Sequence, residues 1–142
     1  MDKYETFSTT ADVGIRIRGN GYVDLFQSAL KALNLLYFDE MADSIGRQDD
    51  APVQRHHFDF SGDSIENILV NFLSEVVYLL QVENKITEGI VVFEASEDRL
   101  NVDLLTLPRD LEPGLEIKSV TYHNLKVNDV DGMKSAEVIF DV

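Results

Sequence analysis

Three carboxyl groups at the two ends of the sequence are the residues best suited to chemistry. Asp12 opens the run Thr9-Thr10-Ala11-Asp12-Val13-Gly14-Ile15-Arg16-Ile17-Arg18-Gly19, and Asp141 with the α-carboxylate of Val142 closes the sequence. If the first long strand and the last one are neighbours, these groups converge as hard oxygen donors, a set that prefers Ca²⁺, Mg²⁺ or Mn²⁺ over softer ions. A strand of period two sends Val13, Ile15 and Ile17 to one face and Asp12, Gly14, Arg16 and Arg18 to the other. Asp12 then shares its face with a position that has no side chain, which leaves room for an ion or a partner. A plainer reading competes with this one: Asp12 caps a turn ahead of the strand, and Gly14 marks a bulge.

A second candidate lies on Glu116-Ile117-Lys118-Ser119-Val120-Thr121-Tyr122-His123. Alternation puts Lys118, Val120 and Tyr122 on one face and Ile117, Ser119, Thr121 and His123 on the other. A lone lysine there could pair with a carboxylate or touch a partner's phosphate group, or simply sit on the surface beside half-buried Tyr122 and His123. His56 and His57 fall on opposite faces of their strand and cannot form one ligand pair, so both are assigned to the sheet surface.

Several chemistries are missing from the sequence. There is no GxxxxGK[ST] or GxGxxG phosphate cradle, no HExxH and no GxSxG elbow. Asp129-Val130-Asp131-Gly132 has part of a calcium-loop pattern, but the bidentate Glu at the twelfth position is absent, and a hairpin turn explains it better. The sequence has no cysteine, which excludes disulfides, thiolate nucleophiles and zinc-thiolate centres and is compatible with a reducing, cytoplasmic setting. No activated nucleophile or paired general acid and base can be named, so a non-enzyme is expected.

The elements that must position these groups follow from periodicity. At 142 residues the sequence fits one domain, residues 1–142, with a sizeable core. Its longest apolar run lies far below the roughly 20 residues that cross a bilayer, and Met1-Asp2-Lys3-Tyr4-Glu5 lacks the apolar stretch of a secretory leader. A formal charge of −14 from 26 acidic and 12 basic residues repels a phosphate backbone, so direct nucleic-acid binding is not expected. Docking on a basic protein, holding a cation, or simple solubility fit that charge.

Tyr4 to Ser8 reads as a short strand leading into the Asp12 segment. Tyr22, Leu25, Phe26, Ala29, Leu30, Leu33, Leu36 and Tyr37 then mark an amphipathic helix. Asp39 to Pro52 reads as an acidic mobile loop. A strand over Val53 to Phe60 is followed by Ser61-Gly62, by Asp63 with Glu66 as a capping box, and by a second helix with the same eight-position apolar template, from Ile65 to Leu80. Gly19 precedes Tyr22 by three residues as Gly62 precedes Ile65, which points to an internal duplication of a strand-glycine-helix unit. Strands are expected at Ile90 to Ala95, Leu100 to Leu107, Glu116 to Val127 and Lys134 to Val142. The consecutive apolar residues Val138-Ile139-Phe140 place the last strand centrally in its sheet. The expected fold is α+β, a two-layer domain of two amphipathic helices on a mostly antiparallel or mixed sheet.

Four motifs in order carry a resemblance that spans essentially the whole sequence. Thr10-Ala11-Asp12-Val13-Gly14-Ile15, Gly62-Asp63 before a leucine-rich helix with Ser74-Glu75 and Tyr78-Leu79, Lys118 to His123, and Ala136 to Val142 together resemble the archease family. The resemblance implies a small non-catalytic activator of the RtcB-type RNA ligase, the GTP-dependent enzyme that joins tRNA halves, promoting its guanylylation and multiple turnover. It also implies a divalent ion, calcium first, held by Asp12, Asp141 and Val142, and it places the family's basic residue on Lys118. Lys118, His123 and Arg16 are the residues expected to face a partner. An alternative proposed for the family is a chaperone-like role, keeping a tRNA-modifying enzyme such as a methyltransferase soluble and specific. Many relatives read Asp-His-Thr-Ala-Asp where this sequence has Ser8-Thr9-Thr10-Ala11-Asp12, so an acidic group and an imidazole are absent beside the site. Met133 stands where relatives often carry Trp, which keeps apolar packing but loses a rigid aromatic contact.

Overall fold

The computed structural model describes residues 3–45 and 52–142. Its elements run β1 (Tyr4–Ser8), β2 (Val13–Asn20), α1 (Tyr22–Phe38), a 3₁₀ turn (Asp39–Ser44), β3 (Gln54–Ser61), α2 (Ile65–Gln81), β4 (Lys85–Ala95), β5 (Arg99–Pro108), β6 (Ser119–Val120), β7 (Asn128–Val130) and β8 (Met133–Asp141). The fold is α+β as expected, with the strands divided between two antiparallel sheets. One has the order β1-β2-β8-β6, with β7 also paired to β8, and the other has the order β3-β5-β4.

Both helices present the apolar stripe that the sequence periodicity requires. Leu25, Phe26, Ala29 and Leu33 of α1, Ile68, Leu69, Phe72 and Leu73 of α2, and the inward residues Ile15, Ile17, Val138, Leu100, Val102 and Leu104 of the strands form one continuous core. Phe72 is its pivot, edge-on to Phe26 at 5.4 Å and to Phe60 at 6.4 Å between ring centroids. The two strand-glycine-helix units match in size, with strands of 8 residues (β2 and β3) and helices of 17 residues (α1 and α2). Their glycines do the same work. A Cβ on Gly19 would lie 2.3 Å from the Leu25 nitrogen, and one on Gly62 would lie 2.0 Å from the Asn67 side chain. Each glycine lets the first turn of its helix fold back against the strand that feeds it.

Several sequence expectations are corrected. The helix α2 is capped by Ser64, whose side chain accepts the Asn67 N–H at 3.1 Å, and not by an Asp63–Glu66 box. Glu66 is taken elsewhere, accepting the Val127 N–H at 2.7 Å. The strand expected over Glu116 to Val127 contributes only Ser119–Val120 to a ladder. Polar residues on both of its sides give a sheet nothing to bury, and Leu125 N–H returns to the Tyr122 carbonyl at 3.0 Å in a turn through left-handed Asn124. Conversely, β4 begins at Lys85, five residues before the expected Ile90, because register shifts at Thr87/Gly89 and Val92/Glu94 break the alternation that marks a strand. Residues 39–44 of the expected acidic loop form a 3₁₀ turn, and residues 46–51 lie outside the described residues. The hairpin reading of Asp129 to Gly132 holds: Asp131 and Gly132 both take positive φ between β7 and β8.

Candidate functional site

The first long strand and the last one are neighbours. β2 and β8 pair antiparallel from Val13↔Phe140 to Asn20↔Met133, and one further step of that register sets Asp12 opposite Asp141. β8 is central as expected, with β2 on one side and β6 on the other, where Ser119 pairs with Asp141. Asp12, Asp141 and Val142 therefore lie at one end of the five-stranded sheet. Among the described residues, no hydrogen bond or ion pair engages the Asp12 or Asp141 carboxylate.

The turn before β2 is built by Thr9. Its N–H donates to the Asp12 carbonyl at 2.8 Å, and its Oγ1 accepts the N–H groups of Ala11 at 3.2 Å and Asp12 at 3.0 Å. Thr9, rather than Asp12, is the capping side chain, which leaves the half-buried Asp12 carboxylate unspent. The sequence reading missed this role, although a threonine three residues before the strand-opening aspartate is the local signal for such a turn.

The space expected beside Gly14 is filled. The β1–β2 ladder runs without a bulge and pairs Gly14 with Phe7, whose ring lies where a Gly14 side chain would be. The Arg16 guanidinium stacks over that ring at 4.4 Å from its centroid. It also pairs with Glu137 at 2.9 Å and Glu5 at 3.3 Å; these hydrogen bonds, Glu137 first, raise its pKa above the ordinary arginine value. Arg16 thus uses its Nε and Nη1 donors within its own sheet, while half of its side chain remains exposed.

Lys118 is placed differently. Its main-chain N–H donates to the Asp141 carbonyl at 2.7 Å, and its exposed ammonium has no partner among the described residues. A groove of about 310 Å³ opens beside it, lined by Val77, Tyr78 and Val82 of α2 and by Val120. His123 is exposed on the turn after β6, its N–H donating to Thr121 Oγ1 at 3.3 Å. The structure brings Asp12, Asp141, Val142 and the backbone of Lys118 to one end of the sheet, and it sets Arg16 further along the outer face. His56 and His57 face opposite ways as expected, but only His57 lies on the sheet surface, outward onto Asp103 at 2.7 Å; His56 is half-buried against buried Thr106 at 2.9 Å, on the side of the strand that also carries Phe58 and Phe60.

The donor set suits a hard cation in kind, with two carboxylates and a main-chain oxygen of Val142 at the ends of adjacent strands. Among the described residues no group of three or more His, Cys, Asp or Glu side chains is gathered to hold a metal ion. Any third protein donor must therefore be a main-chain oxygen or a hydroxyl or amide side chain. None of the described helices is long and apolar enough to cross a membrane.

Comparison with known proteins places the whole fold. The model of the Archease protein family matches residues 4–142. The chain belongs to the archease family. Curated archeases are similar to it over their full length: that of Pyrococcus abyssi is 27% identical with 100% of both chains covered, and that of Thermoplasma volcanium is 30% identical with 98% of each covered. The solution structure of protein 1598 from Methanobacterium thermoautotrophicum covers 100% of both chains with a TM-score of 0.70 at 23% identity. The crystal structure of a Thermotoga maritima archease, described as a possible chaperone, gives a TM-score of 0.62 at 17% identity and covers 96% of this chain and 94% of its own. These likenesses establish an archease fold for the arrangement that holds Asp12 and Asp141 together.

Proposed function

We propose that this chain is a non-catalytic activator of an RtcB-type RNA ligase, acting in the cytoplasm through a cation-bearing acidic site. The observation that carries the reading is the placing of Asp12 and Asp141 at one end of the β2–β8 pair in a chain matched by the archease family model from residue 4 to residue 142. In this reading Asp12, Asp141 and a main-chain oxygen of Val142 hold a divalent ion, calcium first, with magnesium or manganese as substitutes. Bound there, a divalent cation supplies charge neutralisation and orientation toward a triphosphate at the ligase's nucleotide entrance. The chain's own residues do the rest. The Thr9 turn aims Asp12, the Asp141 carbonyl is tied to Lys118, and the Lys118 ammonium, with His123 nearby on the following turn, is available to the partner. A net charge of −14 favours docking on a basic protein surface and disfavours direct contact with RNA.

The second reading is a chaperone-like partner that keeps a tRNA-modifying enzyme, such as a methyltransferase, soluble; the description of the Thermotoga maritima archease as a possible chaperone favours it. One assay separates the two. Guanylylation of purified ligase is followed with and without the chain, in chelator and after adding calcium or manganese. Stimulation that chelator removes and the ion restores supports activation. Stimulation indifferent to chelator, or none, overturns it.

A further inference from the structure

The segment that brings Lys118 to the Asp141 carbonyl is held by a side chain where a strand would be expected. Residues 114 to 117 belong to no ladder, yet Ile117 is only 1% exposed and both of its main-chain polar groups are paired. Its N–H donates to Gln81 Oε1 at 2.8 Å, and its carbonyl accepts from Gln81 Nε2 at 2.8 Å. The primary amide at the end of α2 meets Ile117 as the peptide of a neighbouring strand would.

Tyr37 of α1 completes the clasp. Its hydroxyl donates to the same Gln81 Oε1 at 2.6 Å, and its carbonyl accepts the Gly114 N–H at 2.7 Å. Two donors on one oxygen dictate how the amide lies, because the flipped amide would set its own N–H groups against the Ile117 N–H. Tyr37 stays a donor at physiological pH: burial first, and then the charge of Glu116, hold its pKa far above the ordinary tyrosine value.

We propose that Gln81, oriented by Tyr37, is a positioning residue for the cation and partner site, fixing Ile117 so that the next residue, Lys118, holds the Asp141 carbonyl. The inference rests on reading Asp12, Asp141 and Val142 as a cation site. Without the amide, a buried N–H and a buried carbonyl at Ile117 lose their partners. The available relief is for residues 114 to 118 to move toward water, and the Asp141 main chain moves with them.

The test uses the whole chain with Gln81→Leu and Tyr37→Phe. Ser28→Ala is the control, since it removes a 2.7 Å hydrogen bond to the Arg18 carbonyl, toward the far end of β2 from Asp12. Calcium affinity is measured by titration calorimetry with calcium chloride, and main-chain exchange at Lys118 by deuterium uptake. Gln81→Leu should weaken calcium binding about tenfold or more, in the range of groups that orient metal ligands from behind, and should speed exchange at Lys118. Tyr37→Phe should do both to a smaller degree, and Ser28→Ala neither. A folded Gln81→Leu chain with either unchanged affinity or unchanged Lys118 exchange overturns the proposal. Should that variant fail to fold, Gln81→Glu keeps the acceptor oxygens but loses the donor to the Ile117 carbonyl, and the same two readouts decide. A parent chain that binds no calcium refutes the cation-site reading, whereas unaltered Lys118 exchange refutes the role of Gln81 whatever the ion does.

Discussion

The Phe7 ring occupies the space that Gly14 leaves open: a Cβ at position 14 would come within 2.6 Å of Phe7 Cζ and 2.3 Å of the Val138 carbonyl oxygen. Gly14→Ala should therefore destabilise the chain by about 1–3 kcal/mol, the range for overpacking a site that cannot yield. The ring can turn aside, but a carbonyl in the central β8 ladder cannot. Adding Phe7→Ala to Gly14→Ala should thus fail to restore the parent stability. Urea denaturation of the two single variants and the double variant measures this, and full recovery in the double variant would show that the ring alone sets the constraint.

The start of α2 offers a second test, because three neighbouring polar residues have separate jobs. Ser64→Ala removes the cap on Asn67 N–H and should cost about 1 kcal/mol. Asp63→Ala should stay within about 0.5 kcal/mol, as a surface change away from any cap. Glu66→Ala strands the Val127 N–H and should cost about 1–2 kcal/mol, loosening residues 121 to 127 before it loosens the helix. Equal losses for Asp63→Ala and Ser64→Ala in thermal melts would reinstate the capping box.

These corrections show where the sequence is legible and where it is not. Helix α1 and helix α2 could be read because eight apolar positions repeat at helical spacing, and burial of such a stripe leaves few alternatives. The central place of β8 could be read because Val138, Ile139 and Phe140 need cover on both faces. The end of α2 could not be read as a partner for Ile117, since a side-chain amide standing in for a strand leaves no periodic trace. Bulges hid the first half of β4 in the same way. At the site, Asp12 and the Asp141–Val142 end could be picked out by residue type, but the pairing of β2 with β8 that brings them together could not, because strands at opposite ends of the sequence carry no local signal of which one pairs with which. The filling of the Gly14 gap depends on β1 lying beside β2 in a specific register, and no pattern within either strand encodes that.

Acid should weaken the fold below about pH 4. Asp103, held by His57 first and then by Arg55, has its pKa lowered from 3.8, and Asp59 is lowered by Arg99. Asp24, lowered by Lys3, and Asp129, lowered by Lys134, behave alike. A carboxylate whose folded pKa is depressed adds stability above its unfolded value and loses it as the pH falls through the folded value. Stability should therefore be level with respect to these four groups near neutrality and decline progressively from pH 4 downward. Asp103→Asn should show a shallower decline than the parent chain when melts are followed from pH 7 to pH 2. An identical slope would mean that the His57 and Arg55 contacts do not persist in solution.

Asp12→Ala should remove ligand binding and leave the fold intact. The carboxylate makes no hydrogen bond among the described residues, and it lies beside Asp141, so its loss relieves repulsion rather than breaking a contact. The melting temperature should hold or rise slightly, while calcium binding by calorimetry and stimulation of ligase guanylylation both disappear. Thr9→Ala separates aim from charge. It keeps the carboxylate but removes the Oγ1 that accepts the Ala11 and Asp12 N–H groups, and it should weaken calcium binding about tenfold without abolishing it. Full stimulation by Asp12→Ala would dismiss the acidic site as the working part of the protein. Parent-like binding by Thr9→Ala would reduce the turn to a structural detail.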